Sequence, residues 1–120
     1  MILVDTSIWV DHLRSTDALL VKLLGRNEVL AHPFVIGEIA LGHLSRRQMI
    51  LHDLSCLPRA KTATDDEVMA YIERKKLFGL GVGYIDAHLL AATALTTGAR
   101  LWARDRRLNS AARNLGLAMP

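Results

Sequence analysis

The first seven residues, Met1-Ile2-Leu3-Val4-Asp5-Thr6-Ser7, restrict the fold more than any other stretch of the chain. Ile2, Leu3 and Val4 form an unbroken apolar run. A strand with one wet face alternates polar and apolar residues, whereas a continuous run belongs in a sheet covered on both faces. Asp5 ends that run. A lone carboxylate inside such a layer is too costly, so Asp5 is expected just past the strand, at its carboxyl end. In open α/β sheets that edge is where ligands bind. Thr6 or Ser7 is then placed to cap the helix that follows.

Downstream, helices and strands alternate. Ser7 to Leu13 reads as a short helix with Ile8, Trp9 and Leu13 on its apolar side. Ser15 or Thr16 is a cap for a second helix, Asp17 to Leu24, stopped by Gly25. Glu28 to Ala31 reads as a short strand, and His32-Pro33 as the turn into a third helix reaching about Leu44. That helix is apolar almost all round, with Glu38 its single charge, and is expected to be mostly buried. Arg46 to Leu54 makes a further helix with Met49, Ile50 and Leu54 inward, and Leu57 fits a short edge strand. Thr64 and Glu67 match a capping box opening a helix with Val68, Met69, Ile72 and Leu77 on one side. Asp65, Asp66 and Glu67 read as helix-start chemistry there.

Gly79 to Gly83 is a flexible connection, without the spacing or the preceding strand of a phosphate-binding loop. Tyr84 to Thr97 is a small-residue helix closed by Gly98, with Asp86 in its first turn. Arg100 to Ala103 reads as a strand, Leu108 to Leu115 as a last helix, and Leu117 to Met119 as a terminal strand. Strands alternating with helices predict an α/β fold with a parallel sheet covered on both faces. The 120 residues suit one domain, 1–120.

Composition narrows the function classes. A 51% hydrophobic content builds a core and argues against disorder. A single cysteine, Cys56, excludes an intrachain disulfide, and with Met1 entering a strand directly this favours the cytoplasm over export. The richest apolar stretch, Leu89 to Leu95, falls far short of the roughly 20 residues of a membrane span. The net charge of +3 permits a nucleic-acid partner without requiring one. The basic residues crowd Arg100, Arg104, Arg106, Arg107 and Arg113, with a smaller group at Arg74, Lys75 and Lys76 that also reads as a solvated helix face.

Four acids stand in apolar surroundings. Asp5 and Asp105 follow strands, Glu38 interrupts an apolar helix, and Asp86 opens another. Each alone has a structural account, as a helix cap, a helix-start acid or an arginine's partner. Asp5 and Asp105, however, fall where parallel strands end, at the same edge of the sheet. Carboxylates gathered there repel one another unless a cation compensates. Carboxylates without a cysteine or histidine cluster suit Mg²⁺ or Mn²⁺. Such an ion assists attack on a phosphodiester, and the basic flank beside Asp105 suits a phosphate backbone.

The blocks Asp5-Thr6-Ser7-Ile8-Trp9-Val10-Asp11-His12-Leu13-Arg14, Glu38 with Gly42, Ile85-Asp86-Ala87-His88-Leu89-Leu90-Ala91 and Arg104-Asp105-Arg106-Arg107-Leu108 resemble PIN-domain proteins, and more narrowly the VapC toxins of bacterial toxin–antitoxin pairs. The resemblance covers essentially the whole chain, in order. It implies a three-layer α/β/α sandwich with a mostly parallel sheet and a Mg²⁺- or Mn²⁺-dependent endoribonuclease. It implies that Asp5 and Asp86 hold the metal directly and that Glu38 acts nearby through water. Asp105 then completes the acidic site or helps a second ion, and Thr6 or Ser7 orients Asp5 or a bound water. Ala103 departs from the family pattern, which often has a hydroxyl residue there. The resemblance further implies a homodimer and a VapB-type antitoxin, with Trp9 and Leu13 as candidate contacts; ordinary core packing is the preferred reading of both.

Other polar residues are read as structural. The five histidines are scattered, and His88, two residues from Asp86 on a helix, faces away from it. Cys56 reads as a small buried apolar residue, and Asp11 as surface. Two other functions fit the length and sheet less well. A signalling receiver domain wants paired acids after the first strand and an aspartate after a central one. A non-catalytic binding module has no reason to keep four mutually repelling carboxylates.

Overall fold

The computed structural model describes residues 1–120. Its elements in order are β1 (Ile2–Val4), α1 (Thr6–Arg14), α2 (Ala18–Gly25), β2 (Val29–Leu30), α3 (Pro33–Ala40), α4 (Arg47–Ser55), α5 (Asp65–Lys75), α6 (Tyr84–Leu95), β3 (Arg100–Trp102) and α7 (Arg106–Asn114). The three strands are parallel in the order β2-β1-β3. Leu3 and Val4 are fully buried, as a strand covered on both faces requires. Single parallel bridges extend the sheet at each edge, Ala31 with Arg59 and Leu101 with Ala118. The expected edge strand at Leu57 is thus a bridge two residues later, and the terminal strand is a bridge centred on Ala118.

This order dictates the layers. From β1 the chain steps to β2 and on to Arg59, then returns across the sheet to β3 and Ala118. Right-handed crossovers place helices of the outward steps on one face and those of the return on the other. The packing agrees: α1 meets α3 and α3 meets α4, while α5 meets α6 and α6 lies on β3. The result is the α/β/α sandwich, with the chain reversing direction at β1. The carboxyl end of β1, where Asp5 sits, is therefore the switch point at which such sheets open a crevice.

Several local expectations are corrected. Ser15 and Thr16 are exposed, and Asp17 caps α2 instead, accepting from the N–H groups of Leu19 and Leu20. Gly25 lies inside that helix, and Asn27 takes the positive φ of 56° after it. The third helix ends at Ala40, and Leu41 is 90% exposed. Gly37 and Glu38 are also exposed, because that side of α3 forms a cleft wall rather than a core face. Met49 and Met69 are about half exposed. Each lies about 100° round its helix from the inward residue beside it, Ile50 and Val68 respectively. Cys56 is exposed at the end of α4, with Sγ 3.7 Å from His52 Nε2. No helix is long and apolar enough to cross a membrane.

Candidate active site

Asp5 is delivered by β1. Its N–H donates to the Trp102 carbonyl at 3.0 Å, tying the end of β1 to the end of β3. It occupies the N-cap position of α1, yet its carboxylate makes no capping bond. Instead Ser7 Oγ donates to Asp5 Oδ2 at 2.8 Å. The carboxylate is almost fully buried, so a single hydroxyl and the space in front of it are its surroundings. Thr6, on the same turn, donates from Oγ1 to Glu38 Oε1 at 2.7 Å. The two hydroxyls thus do not cap the helix; each positions one acid.

Asp86 comes from the first turn of α6, where Oδ2 accepts the Gly83 N–H at 3.3 Å. Asp105 caps α7 through Oδ1, which accepts the Leu108 N–H at 2.9 Å. Both structural excuses offered by the sequence are real, and both leave carboxylate oxygen for other work. All four acids line one open cleft of about 720 Å³, with Thr6, Ser7, Tyr84 and Arg104 on its walls. Burial pushes the Asp86 carboxyl above its ordinary range. The negative charges of Asp5, Asp105 and Glu38 push the same way, against the Gly83 hydrogen bond. Three neighbouring carboxylates thus act on Asp86 across the cleft, the direction expected of like charges at one sheet edge.

The donor set is oxygen throughout. No three histidine, cysteine or acid side chains close on a single point. An all-oxygen donor set fits a hard divalent ion that keeps several waters and is held by one or two carboxylates. Ala103 is buried and contributes no hydroxyl; Thr6 and Ser7 supply the hydroxyl contacts to the acids.

A PIN domain family match spans residues 2–114. The chain belongs to the PIN-domain family. This PIN domain is 49% identical over 119 residues to a protein named Ribonuclease VapC32 from two strains of Mycobacterium tuberculosis, CDC 1551 and H37Rv; the alignment covers 99% of this chain and 96% of each relative. No solved structure matches it.

Other functional neighbours escape a reading by sequence. Asp11 is exposed but forms a close ion pair with Arg104 Nε. Tyr84 donates its hydroxyl to Asp65 Oδ1 at 3.0 Å, and His88 Nε2 lies 3.0 Å from the same oxygen. Asp65 is therefore more than a helix-start acid: it ties α5 to the segment bearing Asp86. Aromatic character followed by a histidine at i+4, Tyr84 and His88, was the available signal. His88 does face away from the acid cleft, as its spacing predicts. Trp9 is 5% exposed and belongs to the core, whereas Leu13 is only partly buried and lines two apolar grooves beside α1.

Proposed function

We propose that this chain is a Mg²⁺- or Mn²⁺-dependent endoribonuclease and the toxin of a VapC-type toxin–antitoxin pair. The observation that carries the reading is the convergence of Asp5, Glu38, Asp86 and Asp105 on one cleft, on a chain whose curated relative is named a ribonuclease. Asp5 and Asp86 are the direct ligands: both are at least half-buried, and the burial and neighbouring carboxylates that raise the Asp86 pKa are answered by a cation. An ion held by Asp5 and Asp86 would supply Lewis-acid chemistry, polarising a phosphoryl oxygen and acidifying a water. Ser7 holds Asp5 in place. Thr6 fixes Glu38 by Oε1 and leaves Oε2 to accept the proton of the attacking water. Asp105 completes the negative field, and its capping bond fixes its carboxylate at the cleft edge.

The partners follow the same reading. A VapB-type antitoxin occupies the grooves lined by Leu13, Ile50 and Leu54 beside α1 and α4. A second copy of the chain packs on the exposed Phe78 and Leu80, and the protein works in the cytoplasm. The test is a cleavage assay on total RNA with sequencing of the new ends, wild type beside Asp5→Asn, with and without EDTA. Cleavage should need the ion and Asp5; full activity in EDTA sinks the metal mechanism.

A further inference from the structure

The cleft carries one cation on its wall, Arg104, against four carboxylates. Simple charge balance favours folding the guanidinium onto those four. It is held elsewhere. Nε pairs with Asp11 Oδ2, and Nη2 lies 3.8 Å from Asp17 Oδ2. Both aspartates are fixed by the backbone that bears them. Asp11 is on α1, in the second turn after Asp5. Asp17 caps α2 through Oδ1, which accepts from Leu19 and Leu20, and its own N–H donates to His12 Nδ1 at 3.0 Å. Its Oδ2 is left for the arginine. Arg104 and Asp11 are each about half exposed, and ion pairs of that kind add little to stability. What the arrangement secures is the position of the guanidinium.

Resting on the ribonuclease reading, we propose that Asp11 and Asp17 hold Arg104 at the rim of the cleft as the cation that contacts the RNA phosphate backbone, and keep it out of the space among Asp5, Glu38, Asp86 and Asp105. Arginine offers five N–H donors in a rigid fork suited to phosphate. Nε and Nη2 face the aspartates, and the remaining donors serve a phosphate. The division keeps two tasks apart. The four carboxylates retain the negative charge that draws a divalent ion, while a positive charge next to Asp105 draws the substrate. Without Asp11, only the longer contact to Asp17 holds the guanidinium back from the cleft acids, where it competes with the ion.

The test compares wild type, Asp11→Asn, Arg104→Gln and the double variant; Asp17 is spared because it caps α2. Mn²⁺ binding is measured by isothermal titration. Binding of a fluorescein-labelled single-stranded RNA is measured by anisotropy in EDTA over a range of salt. Asp11→Asn should weaken Mn²⁺ by about tenfold, the scale of one unit charge brought to within several ångströms of the ion. Arg104→Gln should leave Mn²⁺ binding at least as tight, weaken RNA by about tenfold and lower the salt slope by about one. The double variant should recover the Mn²⁺ affinity. If it stays as weak as Asp11→Asn, the aspartate acts by its own charge and the inference is wrong. Unchanged Mn²⁺ affinity in Asp11→Asn, or unchanged RNA affinity in Arg104→Gln, overturns it as well. A wild-type protein that binds neither Mn²⁺ nor RNA overturns the ribonuclease reading itself.

Discussion

The molecule has two polar centres, and they are built on opposite terms. The acid cleft gathers four like charges at an open sheet edge. The second centre is buried: His32 and His88 are 0% and 2% exposed and both pack against Phe34, with ring centroids 5.2 and 4.6 Å away. His32 Nδ1 accepts the Phe34 N–H at 3.0 Å and caps α3. Burial, then the neighbouring His88 and Arg59, lower the His32 pKa to about 4, so it is neutral at pH 7. The fold thus gathers its acids at an open edge and keeps His32 neutral in the interior. The histidine centre steadies the start of α3, which carries Glu38, and through Asp65 the start of α6, which carries Asp86. On the proposed function, the acid cleft is the site of the chemistry, and the histidine centre steadies the helices that bear Glu38 and Asp86.

The contrast breaks most completely at Asp5. Asp5→Asn should reduce ion-dependent RNA cleavage to background while the circular dichroism spectrum stays native, because the Asp5 carboxylate makes no capping bond that the fold needs. Next in size is Ser7→Ala. Removing the hydroxyl that orients a metal-binding carboxylate typically costs ten- to a hundredfold (about 1.4 to 3 kcal/mol), read as the Mg²⁺ concentration for half-maximal cleavage. An unchanged requirement would mean that Ser7 does not position Asp5.

The histidine centre is tested by acid. A histidine neutral in the fold and ordinary when unfolded binds more protons in the unfolded chain between pH 6.5 and 4. Its contribution is present above pH 6.5 and is lost as pH falls to about 4. The loss is at most about 3 kcal/mol for a shift of this size, measured as urea stability across that window. His32→Asn retains a capping acceptor and should flatten the dependence. If its curve parallels that of wild type, another group is responsible.

A smaller effect concerns Asp86. Its raised pKa means that the ionised form is disfavoured in the fold, so stability without divalent ions should decline as pH rises from about 4. Asp86→Asn should therefore melt slightly higher than wild type in EDTA, and should lose the gain in melting temperature that Mn²⁺ gives wild type. A lower melting point in EDTA would contradict the repulsion.

These two centres were unequally legible in the sequence. Asp5, Glu38, Asp86 and Asp105 stood out because an acid set against an apolar run is a local signal, and the strand order put Asp5 and Asp105 at one sheet edge. The helix caps were local too, but Ser15, Thr16 and Asp17 are all good caps, and only the entry angle of α2 selects Asp17. The pairs His88–Asp65 and Arg104–Asp11 join residues far apart in the chain, so no spacing rule reaches them. Cys56 misled because its surroundings, Leu54 and Leu57, are apolar, while its own position at the helix end turns it outward. Met49 and Met69 failed for a related reason: an apolar residue one step off the inward stripe lands on the surface.

The central claim is that the four acids act as one ion-binding site. Electron paramagnetic resonance of free Mn²⁺ during titration into protein tests it without reference to catalysis. Wild type should deplete the free-ion signal saturably, and Asp5→Asn and Asp86→Asn should each leave most of the ion free. Equal depletion by all three proteins would place the ion elsewhere and contradict the account.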